Sequence, residues 1–126
     1  HQVGDAVLVK LVALMTEQVR SSDIVSRYGG EEFAIILPDT GIQLAHEVAE
    51  RIRREAEKQE QVIDGHRLTI TVSIGLASLR QIIHQTGIDE DDKRDLDKVL
   101  LGRADEALYQ AKKTGRNQVV IKKVAS

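Results

Sequence analysis

The feature of this sequence that most constrains its fold is a pair of glycines between two strand-like segments. Residues 23–28 (DIVSRY) precede Gly29 and Gly30, and residues 31–37 (EEFAIIL) follow them. A two-residue glycine connection between such segments is a strong hairpin signal, because the tight turns that join antiparallel strands need positive φ angles. The sequence therefore predicts an antiparallel β-hairpin over 23–37.

Three amphipathic helices are predicted around this hairpin. Apolar residues at helical spacing indicate one helix from about 5 to 20, a second over 39–59 and a third from about 96 to 114. The residues from Thr40 to Gln43 form a possible capping box at the start of the second helix. Gly115 is expected to end the third helix.

A further strand is predicted over 68–76, where apolar residues alternate strictly with small or polar ones. Residues 80–95 are expected to form a solvated connection, and 117–123 (NQVVIKK) to form a last short strand. The order helix, hairpin, helix, strand, helix, strand contains no repeat. It predicts a single α/β unit of the α+β kind.

Composition excludes several classes of protein. The 126 residues carry a net charge of -2, so no general basic surface indicates a nucleic-acid partner. The absence of cysteine excludes disulfides and thiol catalysis and is compatible with a reducing cytoplasm. No apolar run approaches the roughly 20 residues that a membrane span needs. We expect a cytoplasmic domain that makes no membrane contact of its own.

Two charged clusters could carry chemistry. Glu31 and Glu32 follow the paired glycines, and Mg²⁺ prefers carboxylate oxygens together with substrate phosphates. Lys112, Lys113 and Arg116 lie at the end of the third predicted helix. The alternatives are an exposed turn flanked by solvated glutamates, and cations that favour the dipole of a helix C-terminus. The presence of both clusters in one chain favours a site for a metal and a triphosphate.

Three motifs, in chain order, resemble those of the GGDEF family of diguanylate cyclases. They are RYGGEEF (27–33), TVSIGLA (71–77) and ADEALYQAKKTGRNQV (104–119), and HQVGD at 1–5 is similar to the family's Gly-His-x-x-Gly-Asp pattern. The resemblance implies a palm-like, ferredoxin-like fold. In such a fold an antiparallel-rich central sheet is flanked by helices, with the GGEEF hairpin at the active site. We expect residues 1–126 to form one GGDEF domain.

The resemblance also implies an activity. Members of the family condense two GTP molecules into cyclic di-GMP, release pyrophosphate and use Mg²⁺ or Mn²⁺. Each protomer of a homodimer holds one GTP, and the active site forms where the two face each other. By resemblance, Gly29 and Gly30 lie against the guanosine. Glu31 would be a metal ligand and the base for the 3′-hydroxyl, and Glu32 would share the metal.

Further substrate contacts follow from the same resemblance. Asp5 matches the aspartate that recognises guanine, and His1 matches a histidine of the substrate pocket. The alternatives are a helix N-cap for Asp5 and a disordered chain end for His1. Lys112 and Arg116 match the pair that binds the triphosphate, whereas Lys113 is expected to be solvated. Packing or capping is expected of three other residues in that motif: Asp105, Tyr109 and Asn117.

The segment RSSD, residues 20–23, matches the product-inhibition site of the family. Arg20 would bind a guanine edge and a phosphate of cyclic di-GMP, and Asp23 would accept from a guanine N–H. Arg51 matches a second arginine that some members contribute. The alternative for the first two residues is an ordinary arginine at a helix end followed by an aspartate in a turn.

One part of the family pattern is absent from this sequence. The family's first strand carries an Asp-x-Asp-x-Phe-Lys run, which supplies the other metal-binding aspartate. We therefore expect an N-terminally truncated domain and leave open whether this chain turns over alone. The alternative function is a cyclic di-GMP-binding sensor or an inactive fragment, against which the intact Glu31 argues. A scaffold with only solvated charges is disfavoured, because the motifs occur together.

Overall fold

The computed structural model of this protein describes residues 2–29, 32–63, 65–87 and 93–121. Its helices are α1 (Gln2–Gln18), α2 (Ile42–Lys58), α3 (Leu79–Thr86) and α4 (Lys93–Lys113). Its strands are β1 (Ile24–Gly29), β2 (Glu32–Ile36), β3 (Glu60–Ile63), β4 (His66–Thr69), β5 (Ile74–Leu76) and β6 (Val119–Ile121). The mixture of helices and strands confirms the predicted α+β class.

The hairpin predicted from the paired glycines is present as β1 and β2. The two strands are antiparallel, and Gly29 pairs with Glu32. The connection therefore consists of residues 30 and 31 rather than 29 and 30, and these two residues lie outside the described part of the chain. The register shifts between Arg27 and Gly29, which indicates a β-bulge. A bulge bends and twists its strand, and bulges are frequent beside active sites.

The continuous strand predicted over 68–76 is wrong. Its first part belongs to β4, which pairs with β3 in an antiparallel hairpin, and its last part is β5, which pairs in parallel with β6. Alternation identifies a strand with two unlike faces, but it does not identify the pairing partner. The Asp64-Gly65 pair is a hairpin signal that could have revealed β3.

The predicted solvated connection over 80–95 is also wrong in its first half, because it contains most of α3. Ser78 is the N-cap, and its side chain accepts a hydrogen bond from the Gln81 N–H at 3.5 Å. Gly87 ends the helix in the left-handed conformation, at φ 66°. Ile82 anchors the helix in the core, where its side chain is almost completely buried. The serine and the glycine are the local signals that mark these ends.

The capping box predicted for α2 does not form. The N-cap residue is Gly41, which makes no side-chain capping bond. The Thr40 hydroxyl instead donates to the Pro38 carbonyl oxygen at 2.9 Å and accepts from an Arg20 guanidinium N–H. The Thr40 hydroxyl is therefore engaged by Arg20, a residue distant in sequence, and does not cap the helix.

Helix α4 packs directly against β5 at Gly75. A Cβ atom at this position would overlap the backbone of Ala104 and Leu108 in α4. Since only glycine lets the two backbones approach so closely, Gly75 fixes how α4 lies on the β5–β6 pair. That placement in turn decides where the end of α4, with its cluster of cations, lies.

The helices supply the buried apolar side chains of the core: α2 and α4 pack on the β5–β6 pair, α1 packs against α2, and α3 packs against α4. Alanine makes up much of this core. The apolar residues that are almost completely buried are Leu14, Met15, Ala49, Ile52, Ala56, Ile82, Leu96, Ala107 and Ala111. Within the described residues the strands form three two-stranded sheets, so the predicted central sheet is not seen as one continuous ladder. No helix of these same ranges is long and apolar enough to cross a membrane.

Candidate functional site

A tight turn after α1 brings Arg20 and Asp23 together. The Asp23 N–H donates to the Arg20 carbonyl oxygen at 3.0 Å, and the Arg20 N–H donates to Asp23 Oδ2 at 2.7 Å. The Asp23 side chain is only 3% exposed, whereas the Arg20 side chain is 55% exposed. The carboxylate therefore fixes the turn, while the guanidinium faces solvent.

The guanidinium of Arg20 also joins this turn to the loop between β2 and α2. Its Nη2 donates to the Pro38 carbonyl oxygen at 3.0 Å and to Thr40 Oγ1 at 2.7 Å. From α2, Arg51 Nη2 donates to the Gln18 carbonyl oxygen at 2.9 Å. A cation at the C-terminus of a helix satisfies an orphan carbonyl and interacts favourably with the helix dipole. All three sequence-predicted residues of the product site thus lie around the end of α1.

An open pocket of about 350 Å³ lies at the same helix end. It is lined by Thr16, Val19, Arg20, Ser21, Asp23 and Val25. The lining residues carry apolar methyl groups, two hydroxyls, the nearly buried carboxylate of Asp23 and the exposed guanidinium of Arg20. Such a surface can bind a planar polar group and an anion, because a guanidinium stacks on aromatic rings and donates to phosphate.

The second candidate cluster lies at the C-terminus of α4. Lys112 and Arg116 are both exposed and lie four residues apart across the helix end. The Arg116 N–H donates to the Ala111 carbonyl oxygen at 2.8 Å, which closes the end in the manner of a Schellman motif. Gly115, Arg116 and Asn117 have φ angles of 129°, 59° and 45°. Left-handed backbone costs a non-glycine residue about 1–2 kcal/mol, so surrounding contacts must hold this turn.

Those contacts come from α2. Arg53 forms a two-pronged pair with Glu50, from Nε to Oε1 and from Nη2 to Oε2, each at 3.1 Å. Its Nη1 donates to Glu57 Oε2 and to Asn117 Oδ1, both at 3.2 Å. The Asn117 Nδ2 donates to Glu57 Oε2 at 2.6 Å. We refer to Glu50, Arg53, Glu57 and Asn117 as the Arg53 cluster.

The charges of the Arg53 cluster reinforce one another. Hydrogen bonding by Arg53 holds the pKa of Glu50 below its usual value, against a smaller opposing effect of burial. The hydrogen bond from Glu50 correspondingly raises the pKa of Arg53 above its usual value. Both side chains are about one-fifth exposed, so solvent screens their attraction only in part. The pair therefore stays ionised at neutral pH.

Several predicted site residues fall outside what the structure describes. This applies to His1, Gly30 and Glu31, and to the side chains of Asp5 in α1 and Glu32 in β2. Among the described residues, no group of three or more His, Cys, Asp or Glu side chains could hold a metal ion. Glu31 and Glu32 remain the candidate metal ligands, and their carboxylate oxygens suit a hard cation that also takes oxygens from a phosphate.

The structure places the described candidate residues in two groups, one at the end of α1 and one at the end of α4. It adds the Arg53 cluster, which the sequence did not predict. Helix α4 packs mainly on β5, β6 and α3. Tyr109 is not packed in the core, because the residue is 67% exposed and Lys113 Nζ lies 5.9 Å from the centroid of its ring. Glu50, Arg53 and Glu57 are spaced as helical neighbours, a local signal for an ion-pair network. The contact of Arg53 with Asn117 spans 64 positions and had no such signal.

Comparison with known proteins identifies the family of this chain. Residues 1–118 match the family described as "Diguanylate cyclase, GGDEF domain". The chain is 36% identical over 123 residues to Diguanylate cyclase A of Treponema denticola, an alignment that covers 98% of this chain and 30% of that protein. The chain spans about a quarter to a third of the length of the curated relatives it matches.

Solved structures give the same result. The GGDEF domain of DgcB from Caulobacter crescentus, in complex with c-di-GMP, matches with a TM-score of 0.80 and 29% identity over 97% of this chain and 66% of that one. The active GGEEF domain of a diguanylate cyclase from Vibrio cholerae matches with a TM-score of 0.76 and 28% identity, covering 99% of this chain and 72% of that one. The protein belongs to the GGDEF domain family, whose members include diguanylate cyclases.

Proposed function

We propose that residues 1–126 form a diguanylate cyclase domain that condenses two GTP molecules into cyclic di-GMP. The observation that carries the proposal is the β1–β2 hairpin, in which Gly29 pairs with Glu32 and residues 30 and 31 form the connection. Glu31 therefore belongs to the short connection between the paired residues Gly29 and Glu32. A carboxylate at a hairpin connection can approach a substrate hydroxyl, which a residue within a packed sheet cannot do.

The reaction consists of two equivalent phosphoryl transfers. In each, the 3′-hydroxyl oxygen of one GTP bonds to the α-phosphorus of the other, and the bond from that phosphorus to pyrophosphate breaks. Glu31 takes the hydroxyl proton as general base. The transfers require the two nucleotides to face each other with their reacting atoms close, which is the main contribution of positioning to such reactions. A homodimer with one GTP per protomer meets this requirement.

The proposed substrate contacts come from the hairpin, from the start of the chain and from the end of α4. Gly29 and Gly30 have no Cβ, so a guanosine can lie against the hairpin backbone. Asp5 would accept from the guanine edge, and His1 would contribute to the same substrate pocket. The remaining contacts are made at the end of α4, where the exposed side chains of Lys112 and Arg116 bind the triphosphate.

A divalent metal ion completes the proposed site. Glu31 and Glu32 would hold Mg²⁺ or Mn²⁺, and the bound ion would neutralise charge on the transferred phosphoryl group. Because the proposed substrate is a nucleotide of the cytoplasm, we place the domain there, in agreement with the absence of cysteine.

We also propose product inhibition at the pocket beside the end of α1. Its exposed Arg20 guanidinium would bind a guanine edge and a phosphate of cyclic di-GMP, and Arg51 would supply a second cation from α2. Asp23 is nearly covered and already accepts from the Arg20 N–H. In this conformation its main contribution is to hold the turn from which Arg20 projects. The complex of the DgcB domain with c-di-GMP supports the choice of ligand.

Two reciprocal variants of the purified protein test both assignments. Glu31→Ala should abolish cyclic di-GMP synthesis from GTP and Mg²⁺, because the base and a metal ligand are lost, while binding of added cyclic di-GMP stays within twofold of wild type. Arg20→Ala should retain synthesis and weaken cyclic di-GMP binding by roughly tenfold or more, the effect of losing a charge-assisted hydrogen bond. Synthesis is followed by chromatography of the products, and binding by calorimetry.

The outcomes separate the candidate functions. Equal synthesis by wild type and Glu31→Ala would contradict the catalytic assignment. Cyclic di-GMP binding without synthesis by the wild-type protein would favour the alternative, a sensor domain or an inactive fragment. Unchanged product affinity in Arg20→Ala would remove the inhibitory site and leave the cyclase assignment standing.

A further inference from the structure

We propose that Arg53 is a positioning residue for substrate phosphates. It would act through Asn117, which holds the strained turn from which Arg116 projects. The proposal rests on the proposed function in that Arg116 binds the triphosphate. It goes beyond that function, because Arg53 belongs to a different helix and to none of the family motifs quoted above.

The first support is the backbone of the turn. Three successive residues, from Gly115 to Asn117, have positive φ angles, and two of them are not glycine. Such backbone persists only when surrounding contacts determine it. The Arg116 side chain is exposed, so the conformation depends on its backbone bond to the Ala111 carbonyl oxygen and on the contacts of its neighbours.

The second support is the way Asn117 is held. Its side-chain amide accepts from Arg53 Nη1 at 3.2 Å and donates to Glu57 Oε2 at 2.6 Å. Its backbone N–H donates to Ser73 Oγ at 3.1 Å, just before β5. The amide is thus attached to α2, and the backbone to the residue that precedes β5. Arg116 is the residue immediately before this doubly held position, so its direction depends on both attachments.

The third support is that Arg53 is itself fixed. Its two-pronged pair with Glu50 occupies Nε and Nη2 and leaves Nη1 directed at Glu57 and Asn117. A planar guanidinium can make these contacts at once, whereas a lysine ammonium is a point donor. The arrangement therefore needs the shape of arginine and not only its charge.

The experiment compares Arg53→Ala, Arg53→Lys and Asn117→Gly with wild type and with the control Arg54→Ala. Glycine at 117 preserves the positive φ and removes only the amide. Arg54 is the next residue along α2; its side chain is 63% exposed and bonds Glu50 at 3.4 Å. The Arg54→Ala control therefore removes the same positive charge as Arg53→Ala, from a neighbouring position. Each protein is assayed for KM and kcat with GTP, for calorimetric affinity toward inorganic tripolyphosphate with Mg²⁺, and for cyclic di-GMP binding.

We expect all three test variants to raise KM for GTP and to weaken tripolyphosphate binding by about tenfold, with kcat and cyclic di-GMP binding changed less than threefold. The double variant Arg53→Ala/Asn117→Gly should be no worse than either single variant, because the two residues act in series. Rescue by lysine, additive single effects, or equal losses of phosphate and cyclic di-GMP binding would overturn the proposal.

The test also distinguishes this inference from the proposed function. A wild-type protein that binds tripolyphosphate but makes no cyclic di-GMP would contradict the cyclase assignment. The tripolyphosphate affinities of the variants would still test the positioning role of Arg53. A wild-type protein that does not bind tripolyphosphate would overturn the positioning role itself.

Discussion

At the scale of single residues, charged side chains in this protein serve as structural connectors as well as candidate ligands. Arg20, Arg51 and Arg53 each donate to a group on another element: the loop before α2, the end of α1 and the turn after α4. Sequence motifs predicted binding roles for the first two and none for the third. The donors of an arginine fork allow one residue to bind a ligand and to join two elements.

The ionised Glu50–Arg53 pair predicts how stability depends on pH. Because Arg53 lowers the pKa of Glu50, the pair stabilises the fold above the pKa of an unfolded glutamate, and this contribution is lost as pH falls through the lowered value. We expect Glu50→Gln to be less stable than wild type by about 1 kcal/mol at pH 7. The difference should shrink below about pH 4. Thermal unfolding at pH 7, 5 and 3.5 measures it, and a constant difference would contradict the assignment.

At the scale of elements, the contact between α4 and β5 depends on the absence of a side chain. The motif TVSIGLA carried the resemblance, yet its glycine acts here by letting Ala104 and Leu108 approach the strand backbone. Helix α4 itself contains a glycine, Gly102, around which an added Cβ would meet nothing within 4 Å. The two positions form a matched pair, since one is needed for packing and the other only weakens a helix.

We expect Gly75→Ala to destabilise the protein by about 3 kcal/mol, because α4 or β5 must move to make room. Gly102→Ala should stabilise it by about 0.5–1 kcal/mol through higher helix propensity and a less flexible unfolded chain. Denaturant titration of both variants gives the two free energies. Similar values for the two substitutions would show that the close approach of α4 to β5 is not a requirement of the fold.

At the scale of the whole molecule, catalysis is proposed to require two copies of the domain. One protomer presents one hairpin and one α4 end, and would therefore hold one GTP. Each copy would contribute one 3′-hydroxyl and one α-phosphorus, so neither copy can close the cyclic product alone. Activity is then coupled to association, and any device that brings two domains together would control it.

We expect the rate of cyclic di-GMP synthesis to rise more steeply than in proportion to protein concentration, because the active species is a pair. Adding Glu31→Ala protein to a fixed amount of wild type should lower the rate, since mixed pairs complete only one of the two bonds. Adding the Gly102→Ala protein should not inhibit. A rate proportional to concentration, together with no inhibition by Glu31→Ala, would indicate that a single copy suffices.

The sequence by itself determined the parts of this protein that depend on neighbouring residues. The glycine pair predicted the β1–β2 hairpin, helical periodicity predicted α1, α2 and α4, and Gly115 predicted the end of α4. The motifs around them predicted the family, which the comparisons confirmed. These predictions succeeded because turn geometry, helix ends and amphipathic faces are set by interactions over a few positions along the chain.

Only the tertiary structure decided which surfaces meet. The alternating segment 68–76 is divided between two strand pairs. Thr40 accepts from Arg20 instead of capping a helix, and Arg53 bonds Asn117. In each case several partners of similar local chemistry were available, and the partner observed comes from a distant segment of the chain. Alternation and periodicity record which face of an element is apolar. The free energy of the contacts between elements determines what that face, and the charges beside it, will touch.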